Sequence, residues 1–196
     1  DAVNTAVASV INVAGAGGNT FTLTAGTDNI SGTSGNDTIN AAYVTGSNGG
    51  SSFNSLDVIS GGAGTDTLNV RVSDIAGGAI TVAPALDSVE NVIVSSVDTS
   101  ANVFTVNLAS ATGTTTVGFK NTAATADTTI VNAASNATVV LDNADATVAT
   151  GTHSVNLQGA TSRTGTADAV ALQIKNGSGT ATAAADLQFV AADGTT

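Results

Sequence analysis

From residue 90 onward, short apolar or alternating runs follow one another: NVIVSS, VFTVNL, TTTVGFK, DTTIVN, ATVVLD, ATVA, HSVNLQ, AVALQIKN and LQFVA. They recur about every 8 to 17 residues and are joined by Gly, Asn, Asp, Thr and Ala, which is the texture of an all-β chain. One proline in the whole sequence, Pro84, leaves little to stop these strands pairing into long ladders. Helix signals are weak, because Ala is interleaved with residues that prefer strands or bond their own backbone. The exception is AVNTAVASVINVA, residues 2 to 14, where Val3, Val7, Val10 and Ile11 fall at helical spacing. A short helix there competes with a strand leading into residues 21 to 24.

The size of the apolar residues narrows the architecture. Hydrophobic residues make up 42% of the chain but aromatics only 3%, so the core is assembled from many small side chains, mainly Ala and Val. A sandwich needs bulky inward residues on two facing sheets, whereas stacked coils need only a thin layer. The expected fold is therefore an all-β, right-handed parallel β-solenoid, with a β-sandwich as the alternative for the C-terminal part. Phe21, Phe53, Phe104, Phe119 and Phe189 are spaced irregularly, as core plugs would be.

Ahead of this region lies a second periodicity. TAGTDNISG (residues 24 to 32) runs directly into TSGNDTINA (33 to 41), which sets Asp28 nine residues before Asp37 and Ile30 nine before Ile39. The arithmetic repeats in SLDVISGGAGTDTLNV, where Asp57 precedes Asp66 by nine and Ile59 precedes Leu68 by nine. Asp28 to Asp57 and Asp37 to Asp66 are equal steps of 29 residues, so the second unit can lie in register on the first across an excursion at 42 to 54.

A glycine-rich loop exposes carbonyls, an aspartate closes it, and a short strand with one large inward residue follows. Where such loops stack, carbonyl and carboxylate oxygens enclose an ion. Calcium suits them, since it takes six to eight oxygens in flexible geometry. Two sites are expected, one between the loops ending at Asp28 and Asp57, the other between those ending at Asp37 and Asp66. Gly26, Gly35, Asn36, Gly62, Gly64 and Thr65 complete the expected ion-binding set.

Charge and cysteine content agree with oxygen chemistry. Fifteen acidic residues face four basic ones, for a net charge of −11, and Glu90 is the sole glutamate. That balance disfavours nucleic acid, whose phosphates require a basic surface. No cysteine is present, so disulfides and thiolate metal sites are excluded. No run of 18 apolar residues suggests a membrane span, no signal peptide is visible, and the absence of Met is expected of a processed protein or a fragment.

GTSGNDTIN and GGAGTDTLN resemble the glycine-rich nonapeptide of the repeats-in-toxin (RTX) family, G-G-x-G-x-D-x-hydrophobic-x. The match is complete at Gly61, Gly62, Gly64, Asp66 and Leu68. At Gly32, Gly35, Asp37 and Ile39 one glycine is replaced by Thr33, and at Gly26, Asp28 and Ile30 both leading glycines are gone. The repeat ending at Asp57 keeps only the aspartate and Ile59. The resemblance implies a calcium-binding parallel β-roll. The larger order, with LDSVENVIV at 86 to 94 and the Ala, Thr, Val, Gly and Asn-rich texture, is similar to the lattice-forming region of RTX-type surface-layer proteins of Gram-negative bacteria. It implies an internal piece of a secreted structural protein that self-associates outside the cell. Anchoring to surface lipopolysaccharide and the type I secretion signal would lie outside the chain. A secreted RTX adhesin that binds a surface or glycan, and the accessory roll of a secreted hydrolase, are the alternatives. The organisation expected is a lead-in at 1 to 19, a calcium-binding roll at 20 to 94, and a solenoid continuation or second β domain at 95 to 196.

Little else carries chemistry, and no enzyme activity is expected. His153, the only histidine, is expected on a strand near the surface. Asp142 and Asp145 read as turn residues before an extra calcium site. Glu90 is open between capping the coil and ligating calcium. Arg71, Lys120, Arg163 and Lys175 look scattered, as individual surface charges or lattice contacts.

Overall fold

The computed structural model describes residues 17–45, 50–75, 77–99, 102–120, 127–142, 153–158, 171–175 and 187–190. The helix-or-strand question over residues 2 to 14, Asp145 and Arg163 lie outside them. Among the described residues there are sixteen strands and no helix. Every strand pair is parallel, which the sandwich alternative does not produce. The chain is a parallel β-solenoid.

Three sheets form its sides. The first, sheet A, stacks β1 (Thr20–Thr22), β3 (Thr38–Val44), β5 (Thr67–Ser73), β8 (Asn91–Ser96), β11 (Thr116–Lys120), β13 (Thr138–Asp142) and β15 (Leu172–Lys175). Sheet B holds β2 (Asn29–Ser31), β4 (Val58–Ser60), β7 (Ala85–Asp87) and β10 (Ala111–Thr112). Sheet C holds β6 (Ile80–Val82), β9 (Val103–Asn107), β12 (Asp127–Ala133), β14 (His153–Leu157) and β16 (Leu187–Val190). The number of sides differs between coils. Phe21 pairs with Ile39, a step of two nonapeptides, which has room for one strand on sheet A and one on sheet B. Leu68 pairs with Val92 and Val92 with Val117, longer steps of 24 and 25 residues that admit a third side.

Inward residues line up across coils because parallel register repeats the same facing in every strand. Ile39, Leu68, Val92, Val117 and Val139 form one fully buried column on sheet A. Val82, Val106, Ile130 and Val155 form another on sheet C. Phe21, Phe53, Phe104 and Phe119 are the buried plugs, and Phe104 packs 4.9 Å from Tyr43. The excursion after β3 returns to serve that strand. β1 covers only its first three residues, and beyond them the Ala42 carbonyl accepts from the Ser52 and Phe53 amides while the Ser51 and Ser52 hydroxyls take the Val44 and Ala42 amides.

His153 is buried, not near the surface. It shares parity with Val155 and Leu157, all three turned inward, and it stands in register with Thr128. Its ring stacks on Phe119 at 4.9 Å, and its Nδ1 meets the Thr128 hydroxyl at 2.7 Å. The hydroxyl satisfies a ring nitrogen that burial would otherwise leave costly. Thr128→Val keeps the shape and removes that bond, so it is expected to lower stability by about 1 kcal/mol, measured by urea unfolding.

Candidate metal centre

Each nonapeptide turns its aspartate into the coil, and Asp28, Asp37, Asp57 and Asp66 are all at most 2% exposed. The inward carboxylate closes its own loop by accepting from the residues that open it. Asp28 takes the Thr24 amide at 2.8 Å and the Thr24 hydroxyl at 2.9 Å. Asp37 takes the Thr33 amide and, at 2.9 Å, the Thr33 hydroxyl. Asp57 closes a tighter loop on the Asn54 amide, 2.7 Å away.

The same carboxylates tie coil to coil. The Asp28 amide donates to Asp57 at 3.0 Å, and the Asp37 amide to Asp66 at 2.7 Å. The second ladder is longer than its two aspartates, since the Asn19 amide donates to Asp37 at 2.6 Å and the Asp66 amide to Glu90 at 2.7 Å. Glu90 thus stands one coil on in the place of an aspartate, and its longer side chain reaches the same amide.

Between these ladders the loops are in near contact. A Cβ at Gly32 would lie 1.9 Å from the Gly61 carbonyl oxygen, and one at Gly62 would lie 2.1 Å from that of Thr33. Gly62 and Gly64 also hold φ of 99° and 122°, backbone that favours glycine. Asn36 turns its side-chain oxygen to the Thr65 amide at 2.8 Å. Asp37, Asp66, Gly35, Asn36, Gly62, Gly64 and Thr65 are therefore brought together, as expected from the equal steps between the two units.

Asp28, Asp57 and Gly26 are also brought together, with one difference. The Gly26 carbonyl is already engaged by the Asn54 side-chain amide, 3.0 Å away. In this half a protein N–H faces an oxygen that the glycine-rich half leaves to its surroundings.

Burial pushes the carboxyls of Asp57 and Asp66 above the usual carboxylate range. The Asp28 and Asn54 amides pull Asp57 back and the Asp37 amide pulls Asp66 back, while the Asp28 charge and the Glu90 and Asp37 charges push them up again. Stacked buried carboxylates need a counter-charge. One oxygen marks where it belongs: Asp66 Oδ2 is buried without a hydrogen-bond partner. The residue four before Asp66 is Gly62, which has no hydroxyl of the kind Thr24 and Thr33 supply. The donor set fits calcium, being hard oxygen throughout, with one orphaned carboxylate oxygen beside Gly61. Among the described residues no three His, Cys, Asp or Glu side chains cluster as a metal site. An ion here would take most of its ligands from the backbone and Asn36, which calcium tolerates better than magnesium.

Without calcium, the raised carboxyls bind protons more tightly in the folded than in the unfolded chain. Their contribution to stability is present below the ordinary carboxylate range and is lost as pH rises through the raised values. The thermal midpoint in chelator is accordingly expected to rise as the pH is lowered from neutral toward the ordinary carboxylate range. A midpoint that falls over that interval refutes the assignment.

Sequence reasoning left Glu90 open and missed Asn19, Thr24 and Thr33. The two threonines were legible as a hydroxyl four residues before Asp28 and Asp37. Asn19 was not, because an amide donor leaves no trace in side-chain pattern.

Comparison with known proteins agrees with this geometry. The family described as RTX calcium-binding nonapeptide repeat, in four copies, matches residues 13–42 and 55–70, the segments that carry all four aspartates. No curated protein and no solved structure matches. Proteins with such repeats are typically secreted and extracellular. The chain carries RTX-type repeats on a parallel β-solenoid, and its cofactor is calcium.

Proposed function

We propose that the chain is a structural segment of a bacterial surface layer that self-assembles outside the cell into a calcium-dependent lattice. The observation that carries the reading is the position of two exposed apolar side chains. Leu56 is 73% exposed and Val58 48%, and they flank the inward-turned Asp57. Calcium that orders the repeats therefore also sets an apolar surface that a second copy can cover. In a calcium-poor cytoplasm the ladders lack their counter-charge and the chain stays loose; in calcium-rich medium, binding free energy becomes folding free energy. The role involves no catalytic step, because the inward carboxylates are committed to loop amides and to the ion.

Electron microscopy of the protein in calcium tests the reading. Two-dimensional lattices that disappear in chelator support it, and dispersed particles or isolated fibres overturn it. A segment of a secreted adhesin is the second reading, favoured by a groove on the outer face of sheet A.

A further inference from the structure

Three of the four basic residues of this acidic chain fall on one line. Arg71 pairs with Ser95; Val94 pairs with Phe119, which sets Ser95 level with Lys120; Lys120 pairs with Asp142, and Asp142 with Lys175. The row Arg71, Ser95, Lys120, Asp142, Lys175 thus runs along the solenoid axis on sheet A, with a cation on every second strand. At about 4.8 Å per strand, the Arg71 and Lys120 positions, two strands apart, are about 10 Å apart. The scattered look of these residues in the sequence is an effect of unequal coil lengths.

The same face carries a groove of about 490 Å³ that crosses from β1 to β11 and is lined by Arg71 and Lys120. Neutral hydrogen-bonding groups occupy its remaining polar positions, Thr22, Asn40, Ser52, Asn69 and Ser95, beside the apolar Ala41, Ala42 and Ile93. Asn40 and Asn69 are register partners, so their amides also repeat along the axis. Arg71 is exposed and has no ion pair among the described residues. Lys120 meets Asp142 at 3.5 Å, with side chains 53% and 31% exposed, a surface pair of small worth that a ligand carboxylate can replace. Neither cation contributes to the core or to the calcium ladders.

We propose that this axial groove binds a linear, carboxylate-bearing polysaccharide, with ligand carboxylates on Arg71 and Lys120 and sugar hydroxyls on the Asn and Ser side chains. Charge complementarity selects an anion, since these cations are a local exception in a chain of net charge −11. The same net charge selects an anion of low charge density over nucleic acid, and the groove has no aromatic platform for bases. An extended acidic peptide would gain most by adding along a sheet edge, whereas the groove runs across the strands of sheet A, from the edge strand β1 over β3, β5 and β8 to β11. The inference is independent of lattice assembly.

The test is calorimetric titration of the folded chain, in saturating calcium, with a short oligogalacturonate. Parallel titrations use a neutral oligosaccharide of equal length and poly-glutamate. The expected result is saturable, salt-sensitive binding of the oligogalacturonate and none of the neutral sugar. In the Arg71→Gln, Lys120→Gln double variant, the affinity should fall at least about tenfold, with calcium-dependent melting unchanged. Undiminished binding by the double variant overturns the proposal, as does equal binding of poly-glutamate, or no binding at all. Sedimentation of both proteins separates the remaining occupant: if the double variant loses self-association and the parent binds no sugar, the row contacts a second copy and the proposal is overturned.

Discussion

Gly62→Ala is expected to lower the melting temperature by about 10 °C and to weaken calcium binding with it. Two costs add at this position. A side chain at φ of 99° carries left-handed backbone strain of about 1–2 kcal/mol, and the new methyl would sit 2.1 Å from the Thr33 carbonyl oxygen. Relieving that clash means parting two loops of the stack, an overpacking cost of about 1–3 kcal/mol. At about 2–4 °C per kcal/mol for a chain of this size, the sum gives the stated shift. Gly77→Ala is the matched control. Gly77 has φ of 92° but nothing within 4 Å of its added Cβ, so it carries strain without the clash. The difference between the two variants reads the loop contact alone. Equal shifts in the two would show that the stacking distance plays no part.

Calcium removal is expected to have a comparable effect through a different route. Extracellular calcium modules bind at about 0.1–1 mM, so at about 10 mM calcium each site is about 10- to 100-fold above its dissociation constant. Linkage then gives about 1.4–2.7 kcal/mol per site. Two sites together correspond to a midpoint lower by about 5–20 °C in chelator. The glycine-rich half should account for most of it. There Asp66 Oδ2 is without a partner, whereas the other half already has the Asn54 amide on the Gly26 carbonyl. Asp66→Ala should therefore abolish more of the calcium-dependent shift than Asp57→Ala, as measured by differential scanning calorimetry with and without the ion. A melting curve indifferent to chelator would remove calcium from the stability of this protein altogether.

Much of the repeat region was legible because its information is local and periodic. Nine-residue spacing placed Asp28, Asp37, Asp57 and Asp66, and the equal steps between the two units matched the observed pairing of Ile30 with Ile59 and of Ile39 with Leu68. Sheet C was not legible. It enters only at Ile80–Val82, after the nonapeptide pairs and not in the 29-residue step from β3 to β5, and no fixed residue marks its corners. His153 was misplaced although its parity with Val155 and Leu157 pointed inward, since a polar ring at a buried position becomes plausible only once Thr128 is seen beside it. The line of Arg71, Lys120 and Lys175 needed the strand register, because coils of unequal length hide an axial row from any fixed period.

The ladders also have a direction. In every rung between coils, the carboxylate belongs to the later coil and the amide to the earlier one: Asp37 serves Asn19, Asp66 serves Asp37, Glu90 serves Asp66, and Asp57 serves Asp28. In this carboxylate ladder, cutting the chain before a given coil removes only donors to the surviving carboxylates, while sheet bonds such as that from the Thr38 amide to the Asn19 carbonyl are lost with the earlier coil. Cutting it after that coil strips the acceptor from a buried amide. The carboxylate ladder is thus finished from its C-terminal side by Glu90, and Glu90→Ala, which strips the acceptor from the Asp66 amide, should open it where loss of the Asn19 amide would not.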